Sequence, residues 1–214
     1  MDLTEALDHY CERLSPDFWA EPVNALSNLA FIIAALAGFL LWRRLPQRDW
    51  PILGLILVVL ATGIGSFLFH TIATRWAMLA DVIPIAIFIH AYLLIALIRV
   101  LGLRWWLALA ATVLFLFVSP YVGGAVQGIA GSSSGYVPAL AALFVVGLAA
   151  LPLERKAGVS LCAIGGLFAL SVTLRTLDSP LCGSLPLGTH FLWHILNGTV
   201  LFSLLWVLIS LKRG

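Results

Sequence analysis

Long apolar segments, separated by short polar stretches, make up most of the chain. A transmembrane helix requires ~20 apolar residues, within a range of about 17–25. Seven segments reach or approach this length, roughly at 22–42, 52–72, 76–99, 105–121, 137–151, 158–174 and 188–211. The fourth and fifth have the least defined ends, because Pro120, Gly123, Gly124 and the GSSSG sequence at 131–135 lie near their junction. The pattern predicts an all-α membrane protein, a seven-transmembrane helix bundle in which residues 1–214 form one domain.

The segment before the first span has a different character. Residues 1–21 contain six acidic residues and one cation, Arg13. A secretory signal peptide instead combines a basic start with an apolar segment. We therefore interpret residues 1–21 as a short acidic cap, amphipathic or irregular, at the membrane surface. Pro22 follows at the start of the first span, where proline suits the first turn of a helix.

The overall composition agrees with membrane insertion. Hydrophobic residues make up 62% of the chain, charged residues make up 10%, and the mean hydropathy is +1.06. Soluble domains carry about 25% charged residues. The net charge of +2 is small, so we expect no nucleic-acid binding, and the sequence contains no signal for a protein partner. Membrane lipids are the expected surroundings.

The distribution of lysine and arginine predicts the orientation. Nine cations lie in one set of loops: Arg43, Arg44, Arg48, Arg99, Arg104, Arg155, Lys156, Lys212 and Arg213. The opposite set holds Arg13, Arg75 and Arg175, which completes the 12 cations. Cytoplasmic loops are enriched in these residues. We therefore expect an extracytoplasmic N-terminus and a cytoplasmic C-terminus, which requires an odd number of spans.

A second pattern consists of polar residues inside the apolar spans. In the stretch TGIGSFLFHT, Ser66 and His70 are four residues apart and share one helical face. Asp81 lies in the second turn of the third span, and His190 and His194 begin the seventh. Further polar residues begin the first span, namely Glu21, Asn24, Ser27 and Asn28. Such groups are costly in lipid and usually face a bundle interior or a cavity, so we expect them to converge near the extracytoplasmic end.

Three imidazoles can meet in this arrangement, because His190 and His194 share a face and His70 lies at the same depth. Three neutral imidazoles suit one Zn²⁺ ion and leave a fourth position for water, whose pKa falls to about 7 on zinc. We therefore expect a zinc site at these histidines. Ser66 lies one turn from His70, near the same point. Asp81 can either orient an imidazole or accept the proton of the zinc-bound water.

Each of these residues also has a purely structural interpretation. A single intramembrane histidine often only packs and forms a hydrogen bond, and we interpret His90 in that way. A serine in a helix commonly bonds to its own backbone carbonyls, and an H-x-x-x-H pair alone is compatible with a structural role. The coincidence of several such residues at one depth favours a metal site over these separate explanations.

The same residues carry a resemblance to a known family. The blocks CERLSPDFWAEPVNALSNLAF (11–31), GIGSFLFHTIATRWAMLADVIP (63–84) and THFLWHILNG (189–198) resemble the three signature blocks of the alkaline ceramidases. These enzymes belong to the CREST superfamily of seven-transmembrane metal-dependent hydrolases. The Ser/His block, the aspartate and the H-x-x-x-H pair are typical of the superfamily, and AEPVNALSN narrows the resemblance to the ceramidase branch.

This resemblance implies a zinc amidase. His70, His190 and His194 match the zinc ligands of the family, Ser66 matches its oxyanion-stabilising serine, and Asp81 matches its proton-transferring aspartate. The implied reaction is hydrolysis of a lipid amide such as ceramide to a fatty acid and a long-chain amine, by attack of zinc-activated water. The substrate would enter from the bilayer, and the active site would lie toward the extracytoplasmic side.

Other functions stay open at this point. The metal site is compatible with a hydrolase acting on another amide or an ester, and with a non-enzymatic seven-span receptor that holds structural zinc. An ion or proton pathway fits less well, because the polar residues cluster at one end of the bundle. A nucleophilic Ser66 also fits less well, since it requires an adjacent base and the histidines are assigned to zinc.

The resemblance further implies a calcium site near the N-terminus. Animal members of the family bind calcium there through acidic and amide residues around a Cys-Glu pair, and Glu12 and Glu21 match two of these positions. His9, Tyr10 and Leu14 stand where the family pattern has an acid, a tryptophan and an asparagine. Calcium prefers 6–8 oxygen ligands, so the loss of two oxygen-bearing side chains weakens this implication. A solvated acidic cap without calcium is the alternative.

Two cysteines are expected on the extracytoplasmic side, where disulfides form and persist. These are Cys11 in the cap and Cys182 between the sixth and seventh spans. LDSPLC (177–182) also resembles the end of the family's sixth span, which carries a cysteine bonded to the N-terminal one. The resemblance thus implies a Cys11–Cys182 disulfide that ties the cap over the site; three unrelated thiols are the alternative. Cys162 is expected to be a free, buried thiol.

Overall fold

The computed structural model describes residues 2–212 of the chain. These residues form nine α-helices and one 3-10 helix, preceded by the irregular segment 2–21. The α-helices are α1 Pro22–Ser27, α2 Leu29–Trp42, α3 Trp50–Ile72, α4 Arg75–Arg99, α5 Trp105–Ala125, α6 Gln127–Ala130, α7 Val137–Ala150, α8 Arg155–Leu181 and α9 His190–Ser210, and the 3-10 helix is η1 Gly131–Tyr136.

Seven helical segments are long and apolar enough to cross a membrane. The first combines α1 and α2, the fifth combines α6, η1 and α7, and α3, α4, α5, α8 and α9 supply the others. The predicted class, an all-α multi-pass membrane protein with seven spans, is confirmed for the part of the chain that the structure describes. Pro22 occupies the first turn of α1, as expected from its position.

Three span boundaries differ from the prediction. α5 continues through Pro120 and the glycines that follow it. The GSSSG sequence forms η1 rather than a loop, so the fifth span begins at Gln127. α8 passes its predicted end at 174 and reaches Leu181, with Pro180 in its last turn. Neighbouring membrane helices satisfy the backbone groups that proline and glycine leave free, so these residues are weaker stop signals here than in soluble proteins.

Small residues bring the helices that carry polar groups into close contact. A Cβ atom on Gly65 would overlap the carbonyl oxygen of Ala80, so α3 and α4 touch through their backbones. A Cβ atom on Gly198 would lie 2.9 Å from Ala30 Cβ, which places α9 against α2. Close approach through small residues is typical of membrane helices. α9 has buried residues along its whole length and forms the centre of the bundle.

Residues 2–21, the cap, lie across the turn between α3 and α4. Ala6 and Thr74 form an isolated antiparallel bridge, and Leu7 N donates to the carbonyl of Ala73 at 2.7 Å. The cap has no helix of its own, so of the two forms considered from the sequence the irregular one is correct. We call the end of the bundle that it covers the cap end.

A disulfide fixes the cap to the end of α8. Cys11 and Cys182 are bonded, with their Cα atoms 5.2 Å apart, so the implied pairing is present in the structure. Cys162 is free, as expected, but half-buried rather than buried. Its thiol packs beside Gly147 of the neighbouring α7, where a Cβ atom would come within 2.8 Å of the sulfur.

Candidate metal centre

The rings of His70, His190 and His194 meet at the cap end of the bundle. The ring centroids are 5.1, 4.8 and 4.5 Å apart for the pairs 70–190, 70–194 and 190–194. One ligand nitrogen from each ring lies within 4.8 Å of the others. Each of the three histidines is at most 2% exposed. The expected convergence of three imidazoles is therefore observed, and the group can hold a metal ion.

Two helix ends bring these rings together. His70 lies in the last turn of α3, while His190 and His194 occupy the first two turns of α9. Asp178 of α8 fixes the start of α9, because its Oδ1 accepts hydrogen bonds from Thr189 N (2.7 Å) and His190 N (2.9 Å). A carboxylate at a helix N-terminus pairs with the free N–H groups and interacts favourably with the helix dipole.

Ser27 of α1 orients His194. The serine hydroxyl donates to the carbonyl of Asn24 at 2.8 Å and lies 2.7 Å from Nδ1 of His194. Because its only proton is already used, Ser27 must accept a hydrogen bond from Nδ1–H. Nε2 of His194 is therefore the nitrogen with a free lone pair, as a metal ligand requires.

Glu21, the residue before α1, orients His70. Its Oε2 lies 2.6 Å from His70 Nδ1, and Oε2 also accepts from Asn24 Nδ2 at 3.1 Å. Burial alone would raise the pKa of Glu21, but the hydrogen bonds from His70, Arg13 and Asn24 outweigh burial and hold the pKa below its ordinary value. The charged carboxylate accepts from Nδ1–H, which leaves His70 Nε2 for another partner.

Buried ring nitrogens without a partner fit a metal ion. Nε2 of His70 and Nδ1 of His190 are inaccessible to solvent and have no hydrogen-bond partner within residues 2–212. An unpaired buried polar atom costs about 1–3 kcal/mol. Neutral imidazole nitrogens with free lone pairs bind zinc and several other transition metals. The donor set therefore fits a metal ion held by three protein ligands.

Ser66 and Asp81 lie beside the histidines. The backbone contact between α3 and α4 at Gly65 also involves the backbone nitrogen of Asp81, so Asp81 lies near Ser66, the next residue of α3. Ser66 is 2% exposed and Asp81 is 8% exposed. Oδ1 of Asp81 has no hydrogen-bond partner among the residues described. An unpaired carboxyl oxygen next to a possible metal site is well placed to accept a proton.

Tyr10 and Arg175 close the centre from the cap side. The ring of Tyr10 covers His190 and His70, and Arg175 Nη2 donates to the Tyr10 hydroxyl at 3.5 Å. The Arg175 guanidinium also lies 5.8 Å from the ring centroid of Trp193. Burial raises the pKa of Tyr10, although Arg175 acts in the opposite direction. Neither residue was predicted at the site from the sequence, since the tyrosine lies in the irregular cap and Arg175 lies beyond the predicted end of the sixth span, in the part of α8 that was not predicted to be helical.

The residues expected to bind calcium have protein partners instead. Glu12 accepts hydrogen bonds from the backbone N–H groups of Val23 (2.7 Å) and the following residue (2.8 Å), so it caps α1. Glu21 holds His70 with one oxygen and Arg13 with the other. The cation beside Glu21 is therefore a guanidinium, and the residues present do not fit a calcium ion at this position.

His90 lies apart from the three histidines. Its Nδ1 donates to the carbonyl of Ala86 at 2.8 Å within α4, and its ring packs against Phe115 with the ring centroids 5.5 Å apart. These contacts are those of a packing residue, in agreement with the interpretation made from the sequence.

An apolar cavity lies on the side of the histidines that faces away from the cap. It is lined by residues of α4, α5, α7, α8 and α9, and its wall includes Phe88, Phe115, Val146, Phe168 and Leu201. Asn197, about one turn beyond His194 in α9, contributes a polar group to the wall. Apolar walls with few polar groups are typical of sites for small molecules. The apolar lining of this cavity is suited to a hydrocarbon chain.

Comparison with known proteins gives no family assignment. The chain matches no family model, and no curated protein matches it significantly. The resemblance to the alkaline ceramidases rests on the residue blocks quoted above and stays a prediction. The fold, the buried three-histidine group and the adjacent cavity are the observations that bear on function.

Proposed function

We propose that the protein is an intramembrane zinc-dependent amidase that hydrolyses a lipid amide such as ceramide. The observation that carries this proposal is the buried group of His70, His190 and His194, with unpaired nitrogens beside Asp81 and next to an apolar cavity. Structural zinc sites commonly have four protein ligands, whereas catalytic sites keep three and leave one position open. Three histidines therefore favour a reactive centre.

Bound zinc would polarise the scissile carbonyl group and lower the pKa of a water molecule to about 7. The residues of the chain then move the protons. Asp81 takes a proton from the attacking water at its free Oδ1, while the water oxygen bonds to the carbonyl carbon. Asp81 returns that proton to the amide nitrogen as the C–N bond breaks. The products are a fatty acid and a long-chain amine.

Ser66 has the role of a hydrogen-bond donor. Its hydroxyl group, one helical turn from His70, donates to the carbonyl oxygen as negative charge develops there. A nucleophilic serine would need a basic nitrogen beside it. Nδ1 of His70 is held by Glu21, and Nδ1 of His194 is held by Ser27. The remaining nitrogens are needed for the metal, which favours water as the nucleophile.

The apolar cavity supports a lipid as the substrate. Phe88, Phe168 and Leu201 offer a hydrocarbon surface for one acyl chain, and burial of such a chain contributes about 25 cal/mol per Å². Asn197, three residues after His194 in α9, lines the cavity and would bond a polar group of the lipid near the amide. The lipid enters sideways from the bilayer, so that only its amide region meets the polar end of the bundle.

We also propose that the cap end faces the extracytoplasmic side. Of the 11 lysine and arginine residues within 2–212, eight belong to the loops or terminus at the other end, which supports a cytoplasmic location for that end. The Cys11–Cys182 disulfide at the cap end supports the same orientation, because disulfides persist in oxidising compartments.

Metal analysis combined with a matched lipid panel tests the proposal. The protein in lipid nanodiscs is incubated with ceramide, with an ester analogue in which oxygen replaces the amide N–H, and with a phospholipid. Mass spectrometry follows the released fatty acid. Ceramide turnover that requires zinc and stops in Asp81→Asn would support the amidase. Turnover of the ester alone would assign a different lipid hydrolase, and zinc binding without turnover of any lipid would favour a receptor with a structural metal.

A further inference from the structure

The guanidinium group of Arg13 is buried between the cap and the end of α3, with its side chain 4% exposed. Nε donates to Glu21 Oε1 at 2.5 Å. Nη1 donates to the carbonyls of Ser15 (3.2 Å) and Asp17 (3.4 Å), and Nη2 donates to the carbonyl of His70 (3.1 Å). Each of these partners is an oxygen atom, and together they come from the cap and from the end of the second span.

Arg13 reaches His70 by two routes. One is direct, through the His70 carbonyl oxygen. The other passes through Glu21, which binds Arg13 with Oε1 and His70 Nδ1 with Oε2. The backbone and the ring of His70 are therefore both held by one cation. Groups that hold the second nitrogen of a metal-binding histidine set its orientation and the metal affinity, and Arg13 acts on such a group.

The oxygen atoms around Arg13 require a positively charged partner, because they include the buried carboxylate of Glu21. The Glu21 side chain is 3% exposed, and a buried carboxylate that loses its charge partner is strongly destabilising. One carboxylate and three backbone carbonyls are oxygen ligands of the type that calcium accepts. In this chain the guanidinium occupies the centre of that group, and its fork of donors matches several oxygens at once.

We propose that Arg13 is a built-in cation that replaces a structural calcium ion and positions His70 for metal binding. This inference rests on the proposed zinc site. It deepens that site by making its assembly independent of a second metal ion. Arg13 acts only through Glu21 and the His70 backbone, so it is a positioning residue and makes no contact with the substrate.

Zinc affinity and the absorption spectrum of the cobalt(II)-substituted protein test the proposal. The proteins compared in nanodiscs are the wild type, Arg13→Ala, Arg13→Lys and Arg75→Ala. Arg75 is a matched control, since it forms an exposed ion pair with Glu5 of the same cap. We expect Arg13→Ala to bind zinc about 10–100-fold more weakly and to show an altered cobalt spectrum. Arg75→Ala should match the wild type.

Restoring zinc binding in Arg13→Ala with an added cation distinguishes the loss of a cation site from a general loss of structure. Methylguanidinium or millimolar calcium should restore the zinc affinity of Arg13→Ala, while the wild type should bind zinc equally with and without calcium. Arg13→Lys keeps the charge but loses the fork, so its affinity should lie in between. If Arg13→Ala does not fold, two measurements still test the inference. They are the zinc affinity of the wild type with and without calcium, and the zinc affinity of Arg13→Lys.

Four results would overturn the inference. They are an unchanged affinity and spectrum in folded Arg13→Ala, a loss that no added cation restores, Arg13→Lys matching the wild type, and a wild type that needs calcium to bind zinc. A wild type that binds no zinc at all would contradict the proposed function itself, and this inference would then fail with it. The wild-type titration therefore distinguishes the two failures.

Discussion

The ring of Tyr10 lies over the ring of His190, with the centroids 3.8 Å apart and the planes inclined by 24°. The same tyrosine ring has its centroid 5.0 Å from that of His70. A residue outside the membrane spans therefore forms the outer wall of the three-histidine group. The cap is part of the site, and changes in it should alter access to a bound metal.

Loss of the Tyr10 ring should open the metal site to water. We expect Tyr10→Ala to release zinc faster to a water-soluble chelator, because the chelator and water can then reach His190. Tyr10→Phe keeps the ring and loses only the hydroxyl group near Arg175, so its release should stay close to that of the wild type. The rate is followed with a coloured chelator, and equal rates for Tyr10→Ala and the wild type would contradict a covering role.

Replacement of a ligand histidine should remove the metal. His194→Ala loses one of three nitrogen ligands, and we expect most of the zinc to be lost during purification. His90→Ala is the matched control, since His90 is also an intramembrane histidine but binds only the carbonyl of Ala86. Elemental analysis measures the result. Zinc occupancy that stays full when His70, His190 and His194 are replaced one at a time would remove the metal site.

The proposed proton-transfer role of Asp81 should be separable from the proposed binding of metal by the histidines. Asp81→Asn keeps the shape of the side chain but removes the base, so zinc should stay bound while lipid hydrolysis stops. The comparison is between zinc content and fatty-acid release in the same preparation. Hydrolysis at the wild-type rate in Asp81→Asn would show that the proton moves through another group.

Ser66→Ala should also keep zinc and lose turnover. Removal of one oxyanion donor typically lowers kcat by about 10²–10³. Ser203→Ala provides the control, because Ser203 is also a helical serine of the bundle and donates only to the carbonyl of Thr199. A Ser66→Ala protein with unchanged kcat would leave the serine with no role in the reaction.

The Cys11–Cys182 disulfide should stabilise the folded protein. It closes a loop of 171 positions, and removal of a native disulfide typically costs about 2–5 kcal/mol. Cys182→Ser should therefore lower the unfolding temperature, whereas Cys162→Ser should have little effect. Thiol titration of the denatured, non-reduced wild type should find only the thiol of Cys162. Three titrated thiols in protein from an oxidising compartment would exclude the bond.

A single methyl group at Gly188 should disturb the start of α9. The φ angle there is +67°, and a Cβ atom would overlap Asp178 Oδ1 and lie 2.9 Å from Cys11 Cβ. Gly188→Ala should therefore reduce both thermal stability and zinc content. At Gly183 a Cβ atom meets nothing within 4 Å, so Gly183→Ala is the control. Wild-type stability in Gly188→Ala would show that the loop can move aside.

The sequence predicted the number of spans and the depth of the polar residues, because both follow from the lengths and positions of the apolar segments. The convergence of His70 with His190 and His194 was predictable for the same reason: residues at one depth in a small bundle lie close together. The ends of α5 and α8 were not predicted correctly, since proline and glycine stop helices less effectively inside a membrane.

The partners of the histidines could not be read from spacing alone. Glu21 and Ser27 were recognised as polar residues at the right depth, but their pairing with His70 and His194 depends on how α1 is rotated about its axis. The contacts of Arg13 and Tyr10 depend on the path of an irregular segment. Such a path is set by long-range contacts, including the disulfide to Cys182, and has no periodic signal in the sequence.

The long separation between Cys11 and Cys182 also dictates an order of assembly during synthesis. N-terminal parts of a chain emerge first, yet the cap can be fastened only after α8 has been made. The three histidines can meet only after α9 has been inserted as well. Biogenesis would therefore complete the proposed metal centre late. A chain interrupted before Cys182 would have an unfastened cap, and a chain interrupted before α9 would have an incomplete ligand set. Metal bound to the purified protein would therefore indicate that all seven spans had been synthesised and inserted.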